Sequence, residues 1–189
     1  MKIEIENHGI AELDFDSIFT FLESCKPKYR SEWDPDYWIS NRDKLETGAQ
    51  ALYSKESSMY YQYADDGLNA FVPDSLIKQH HIKTDFMETK VFKYAPGSFM
   101  PPHVDRYNSL RAKFGLDDFG KEKIIRLWIA LQEPMFGHGL FFEDGQAMTG
   151  MPKGTVLTWT YGARHSACNA GLDERYIMTV TCVIDDKSK

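Results

Sequence analysis

The chain has little cysteine, no long apolar run and no excess of basic charge. Its three cysteines, Cys25, Cys168 and Cys182, are an odd set without a CxxC pair. That excludes a disulfide framework and predicts reduced thiols. No segment approaches the ~18 consecutive apolar residues of a membrane-crossing helix, and the opening MKIEIENHGI lacks the apolar core of an export signal. The expectation is a cytoplasmic protein with no membrane partner. Lys and Arg number 22 against 28 Asp and Glu, a net charge of −6 with no basic stripe, so nucleic acid is not an expected partner. There is no fixed-period repeat and no low-complexity tract.

What the chain does have is aromatic and apolar material for one core. Hydrophobic residues make up 42% of the 189 positions and aromatics 14%. That length suits a single domain, expected to comprise an N-terminal cap over residues 1–86 and a core over residues 87–184. In the cap, MKIEIEN alternates apolar and charged residues and predicts an edge strand. Asp16 and Ser17 are candidate caps for a helix through SIFTFLESCK that Pro27 ends. The stretches YRSEWDPDYWISNR and SSMYYQYADDG predict some helical structure packed on a sheet, or else aromatic walls of a substrate cleft.

From about Thr84 the texture changes. METKVFKYA, KIIRLWIALQE, GLFFED, GTVLTWTY and RYIMTVTCVI are short runs rich in β-branched and aromatic residues. The links between them, APGS, GHG, MPKG, YGAR and NAGLD, are turn-forming. Regularly spaced strands without helical patterns between them predict a mainly β jelly roll, a double-stranded β-helix, with N-terminal helices packed against one sheet. The charged NSLRAKFGLDDFGKEK interrupts the series and predicts an exposed insertion or short helix, placed to act as a lid.

The stretch FKYAPGSFMPPHVDRY delivers His103 and Asp105 one residue apart after a Pro-Gly turn and two prolines. At a strand end, side chains at i and i+2 point the same way, so both can grip one ion. His165, 62 residues later, is the candidate third ligand. Two imidazoles and a carboxylate leave three adjacent coordination positions open, which suits non-haem Fe(II) binding a chelating cosubstrate and O2. Structural zinc would be closed by four ligands and favour Cys. His8, His80, His81 and His138 read as surface residues. Arg175 opens the last strand, ten residues after His165. It is either the partner of a carboxylate ligand or a surface ion pair with Asp173 or Glu174. Thr179 shares its strand face.

Tyr94, Gly97, His103 and Asp105 match Y-x-x-G-x-x-x-x-x-H-x-D. On this motif, GHGLFFED, MPKGTVLTW and the spacing from His165 to Arg175, residues 88–184 resemble the iron(II) and 2-oxoglutarate dependent dioxygenases of the prolyl 4-hydroxylase-like branch. The resemblance implies Fe(II) on His103, Asp105 and His165. It implies that Arg175 and Thr179 hold the distal carboxylate of 2-oxoglutarate, with Tyr94 nearby. It implies O2 as oxidant, with ascorbate as accessory reductant, and hydroxylation of an amino-acid side chain, a prolyl residue in the nearest branch, with release of succinate and CO2. The substrate is then a small molecule or a peptide. One departure is Arg126, where the family has a small or hydroxylated residue. By strand alternation Arg126, Trp128 and Ala130 share a face. If that face is interior, Arg126 and Trp128 join the residues around cosubstrate or substrate; otherwise Arg126 faces solvent. The alternative is a non-catalytic jelly-roll or cupin-like binding module.

Overall fold

The computed structural model describes residues 2–29, 60–116 and 124–185. Among these, eleven strands form two sheets. They are β1 (Ile5–Ile10), β2 (Lys28–Tyr29), β3 (Tyr60–Ala64), β4 (Ile82–Tyr94), β5 (Phe99–Val104), β6 (Ile124–Ala130), β7 (His138–Phe142), β8 (Ala147–Thr149), β9 (Thr155–Trp159), β10 (Arg164–Asn169) and β11 (Arg175–Ile184). The large sheet runs β1-β9-β6-β11-β4-β3-β2 and the small one β5-β10-β7-β8, with antiparallel pairing throughout. This is the mainly β double-stranded β-helix that the alternating strands predict.

Period-two alternation sorts the large sheet into two apolar faces. Tyr94 and Phe92 on β4, Trp128 and Ala130 on β6, and Ile177 on β11 point inward. There they meet Leu140, Phe142 and Ala167 of the small sheet. Val91, Leu127, Ile129, Met178 and Val180 point outward and bury against helices. The helix α1 (Phe15–Ser24) supplies Ile18 and Leu22, four apart on one face, both nearly inaccessible. Burying two such side chains stabilises by roughly 1.5–3 kcal/mol each. Its cap is Asp14, not Asp16 or Ser17. The Asp14 carboxylate accepts from Ser17 N at 3.0 Å, so Ser17 is the donor and Asp16 sits in the first turn. The helix ends before Pro27, as expected.

MKIEIEN supplies the expected edge strand, β1, which pairs with β9 more than 140 residues away, and Ile3 and Ile5 join the interior core. Other cap expectations are corrected. SSMYYQYADDG contributes strand β3 rather than a helix, and Tyr63 packs into the outer core instead of walling a cleft. A 3₁₀ turn, Asp66–Phe71, and helix α2 (Asp74–Gln79) follow it. Most of YRSEWDPDYWISNR lies outside the described residues. In the interrupting segment, Asn108–Phe114 form helix α3, and Leu110 packs with Tyr107, Ile124 and Val183 over one end of the barrel. Its last part, 117–123, is outside the described residues.

Candidate metal centre and the buried cation beside it

His103 is the penultimate residue of β5, and Asp105 follows the strand directly. β5 is an edge strand, which tolerates Pro101 and Pro102, whose missing N–H groups would break an interior ladder. Antiparallel pairing sets His103 directly opposite His165 on β10. The rings lie 4.3 Å apart, and one ligand atom from each of His103, Asp105 and His165 lies within 4.8 Å of the others. Asp105 Oδ1 is 3.8 Å from His103 Nε2, and Oδ2 is 3.6 Å from His165 Nε2.

The protonation states suit a cation. His165 Nδ1 lies 3.1 Å from the Ala163 carbonyl, so the N–H is held there and Nε2 presents a lone pair to the centre. Burial pulls His165 below the ordinary histidine value, against the opposing field of Asp105, and keeps the ring neutral. Burial pushes the Asp105 carboxyl up, but its neighbours, the Arg126 guanidinium foremost, outweigh it and hold the group below the usual carboxylate range. Asp105 Oδ2 is buried without a hydrogen-bond partner among the described residues. Two imidazoles and one carboxylate with an unsatisfied oxygen are a fitting donor set for a divalent metal.

The Trp159 ring lies 4.7 Å from the His165 ring at a tilt of 58°, and Phe142 flanks both. Beyond this wall β6 and β9 diverge. They pair only at Trp128↔Leu157 and Ile129↔Val156. The split opens a cleft of about 300 Å³ bounded by Tyr107, Arg126, Trp159 and Tyr161. That volume is at the lower end of small-ligand pockets. Tyr107 holds a left-handed backbone (φ 55°), uncommon for a bulky residue, two positions after Asp105. Burial pushes its phenol up to about 12.

Arg126 points inward. It pairs with Asp105 Oδ1, donates from Nε to Thr181 at 2.9 Å, and stacks 5.3 Å over Tyr107. Its position is therefore that of a counter-ion to a candidate metal ligand.

Arg175 is 2% exposed, which removes the surface-pair alternative: Glu174 pairs instead with Lys93 at 2.5 Å. The Arg175 Nη1 group donates to the carbonyls of Cys168 and Gly139, both at 2.7 Å, tying β10 and β7 to β11. Its guanidinium lies 5.6 Å from each of the Tyr94 and Trp128 rings. No carboxylate among the described residues pairs with it, and Nη2 is buried without a partner. A buried, unpaired cation is costly. Thr179, 5% exposed, lies opposite Trp128 and Lys90 on the same interior face. Tyr94 is fully buried opposite Arg175, its hydroxyl 4.0 Å from Met100 Sδ.

Three residues escaped the sequence reading. Trp159 lay inside a recognised strand motif, and alternation from Leu157 would have placed it inward. Lys90 sits inside, 2.8 Å from Glu88 and 3.0 Å from Ser109 of α3. Counting back by twos from Tyr94 would have found it. His138, expected at the surface, is 8% exposed. The flanking glycines suggested a turn, but His138 opens β7.

No protein-family model matches the chain, and no curated protein does. Solved structures are similar in fold. A viral collagen prolyl hydroxylase from Paramecium bursaria Chlorella virus-1 aligns over 97% of both chains at 13% identity and a TM-score of 0.50. A Pseudomonas putida prolyl-4-hydroxylase aligns over 96% of this chain and 92% of its own at 16% and 0.49. A predicted oxalate decarboxylase from Thermotoga maritima aligns over 86% and 96% at 10% and 0.46. At these identities the likeness is one of fold alone, the double-stranded β-helix already described.

Proposed function

We propose that the protein is an Fe(II)- and 2-oxoglutarate-dependent dioxygenase that hydroxylates a C–H bond of an amino-acid side chain, releasing succinate and CO2. The observation that carries this reading is Arg175. A buried guanidinium without a carboxylate partner calls for an anionic ligand. Its contact on Cys168 is three residues along β10 from His165, about 10 Å at strand rise. That separation suits a five-carbon diacid with one end at the metal triad and the other at Arg175.

In this reading His103, Asp105 and His165 hold iron, which when bound supplies O2 activation. Arg175 takes the distal carboxylate of the cosubstrate, with Thr179 and Trp128 lining the path. Trp159 and Phe142 keep water from one side of the centre, and the 300 Å³ cleft beside Arg126 receives the side chain to be hydroxylated. The fold likeness to prolyl hydroxylases makes a prolyl residue, free or in a peptide, the first substrate to try. A cytoplasmic location is part of the proposal; among the described residues no helix is long and apolar enough to cross a membrane.

The test is anaerobic titration of the apo-protein with Fe(II) and then 2-oxoglutarate, watching for the visible charge-transfer band of a chelated keto acid. Wild type should show it, and Arg175→Met should need far more cosubstrate. Iron binding without a band would leave a cupin-like metal-binding module in place of the dioxygenase.

A further inference from the structure

A crevice of about 20 Å³ lies beside Arg175, with room for one water. Three of the residues that line it, each more than nine-tenths buried, carry an unpartnered polar atom: Arg175 Nη2, Trp128 Nε1 and His138 Nε2. Three orphans on the residues of one small crevice call for a ligand there, since each would cost about 1–3 kcal/mol if left unmet.

Counting donors and acceptors separates the ligands this crevice can take. Of the two His138 ring nitrogens Nε2 is the one without a partner, and the Asp173 backbone favours a proton on this ring, so in the neutral ring we assign the proton to Nδ1, which leaves Nε2 an acceptor. One water then satisfies all three groups: it accepts from Arg175 and Trp128 and donates to His138. A carboxylate cannot, because it only accepts. It satisfies all three only if His138 carries a second proton, on Nε2. The groups facing His138 are Arg175 from β11, which opposes that proton, Asp173 from the preceding loop, which favours it, and Glu133 on the crevice rim. Burial and Arg175 hold the ring below the ordinary histidine value, so it is neutral near pH 7 before an anion arrives.

We propose that His138 is a third ligand of the distal carboxylate of the cosubstrate, and that binding this carboxylate protonates His138. This rests on the dioxygenase reading above. The exchange is balanced: the diacid enters as a dianion, the water leaves, and one proton is drawn from the buffer onto Nε2.

The experiment is calorimetry of 2-oxoglutarate binding to the anaerobic Fe(II)-loaded protein at pH 7.5, in buffers of different ionisation enthalpy. Wild type should take up close to one proton per ligand, and its affinity should fall up to about tenfold per pH unit above neutrality. His138→Gln should bind more weakly, with uptake near zero and a flat pH profile. Pyruvate, a keto acid without the distal carboxylate, should take up none. Arg175-dependent binding of 2-oxoglutarate with no proton uptake, or with the same uptake in His138→Gln, would overturn the inference and leave the dioxygenase reading intact. Failure of wild type to bind 2-oxoglutarate at all would overturn both. The wild-type buffer series needs no variant, so it stands even if His138→Gln misfolds.

Discussion

Arg126 and Asp105 form an ion pair at the inner end of the β6–β9 cleft, so a carboxylate offered to a metal already has a cation against it. Guanidinium and metal therefore act on the same charge. Removing Arg126 strips Asp105 of its counter-ion while the metal is absent. Because the pair is partly accessible, the loss in Arg126→Met should be about 2 kcal/mol, below the 3–5 kcal/mol of fully buried pairs. A divalent ion can replace the missing charge. Co(II) should thus raise the thermal midpoint of Arg126→Met by more than it raises wild type. Equal metal-induced shifts would mean that Arg126 and the metal do not share Asp105.

Asn169 is a hub between His165 and Arg175. Its side chain donates to the carbonyls of Tyr94 at 2.9 Å and Asp173 at 2.7 Å, and accepts from Gly171 N at 3.1 Å. It is fully buried. Asn169→Ala should cost on the order of 3 kcal/mol, since buried carbonyls lose their donor. Urea unfolding would measure it; a loss under ~1 kcal/mol would show that water reaches these groups.

His80 caps α2 and meets the His8 ring edge-on at 4.5 Å. Burial first, then His8 and His81, pull its value from 6.5 to about 4. The unfolded chain therefore binds a proton here between pH 6.5 and 4 that the folded chain refuses, and stability is lost as pH falls through that window. Urea midpoints should decline from pH 6.5 to 4 in wild type, and less steeply in His80→Gln. Parallel slopes would remove His80 as the source.

Pro101 and Pro102 restrict the backbone that carries His103. Replacing both with Ala gives β5 more freedom to lose when a ligand set forms. Proline effects are ~0.4–1 kcal/mol each, so for the two together Fe(II) affinity should weaken by roughly 4- to 30-fold. Unchanged affinity in the double variant would show that pairing with β10, not proline, orders the strand.

Gly137 closes the turn into β7. It has φ +87°, and an added Cβ would lie 2.2 Å from Gly171 N. Gly137→Ala should displace the start of β7, and His138 with it, unlike a change at Gly145, which has open space around it. Comparing their thermal midpoints would check this.

Much of the fold follows from local pattern. Alternation in KIIRLWIALQE and RYIMTVTCVI specifies strands and their two faces, because side chains at period two must bury on one side or the other. The same rule puts Arg126 on a face with Trp128, and HxD spacing puts His103 and Asp105 on one side of a strand end. Local pattern could not supply pairing. That β1 closes against β9, that β10 sets His165 opposite His103, and that Arg126 meets Asp105 depend on contacts between segments tens of residues apart or more. Such contacts are chosen by the packing of the whole barrel. His138 is the clearest case. Two flanking glycines fit a surface turn as well as a strand start, and only the arrival of β11 over β7, bringing Arg175, buries the imidazole beside a cation.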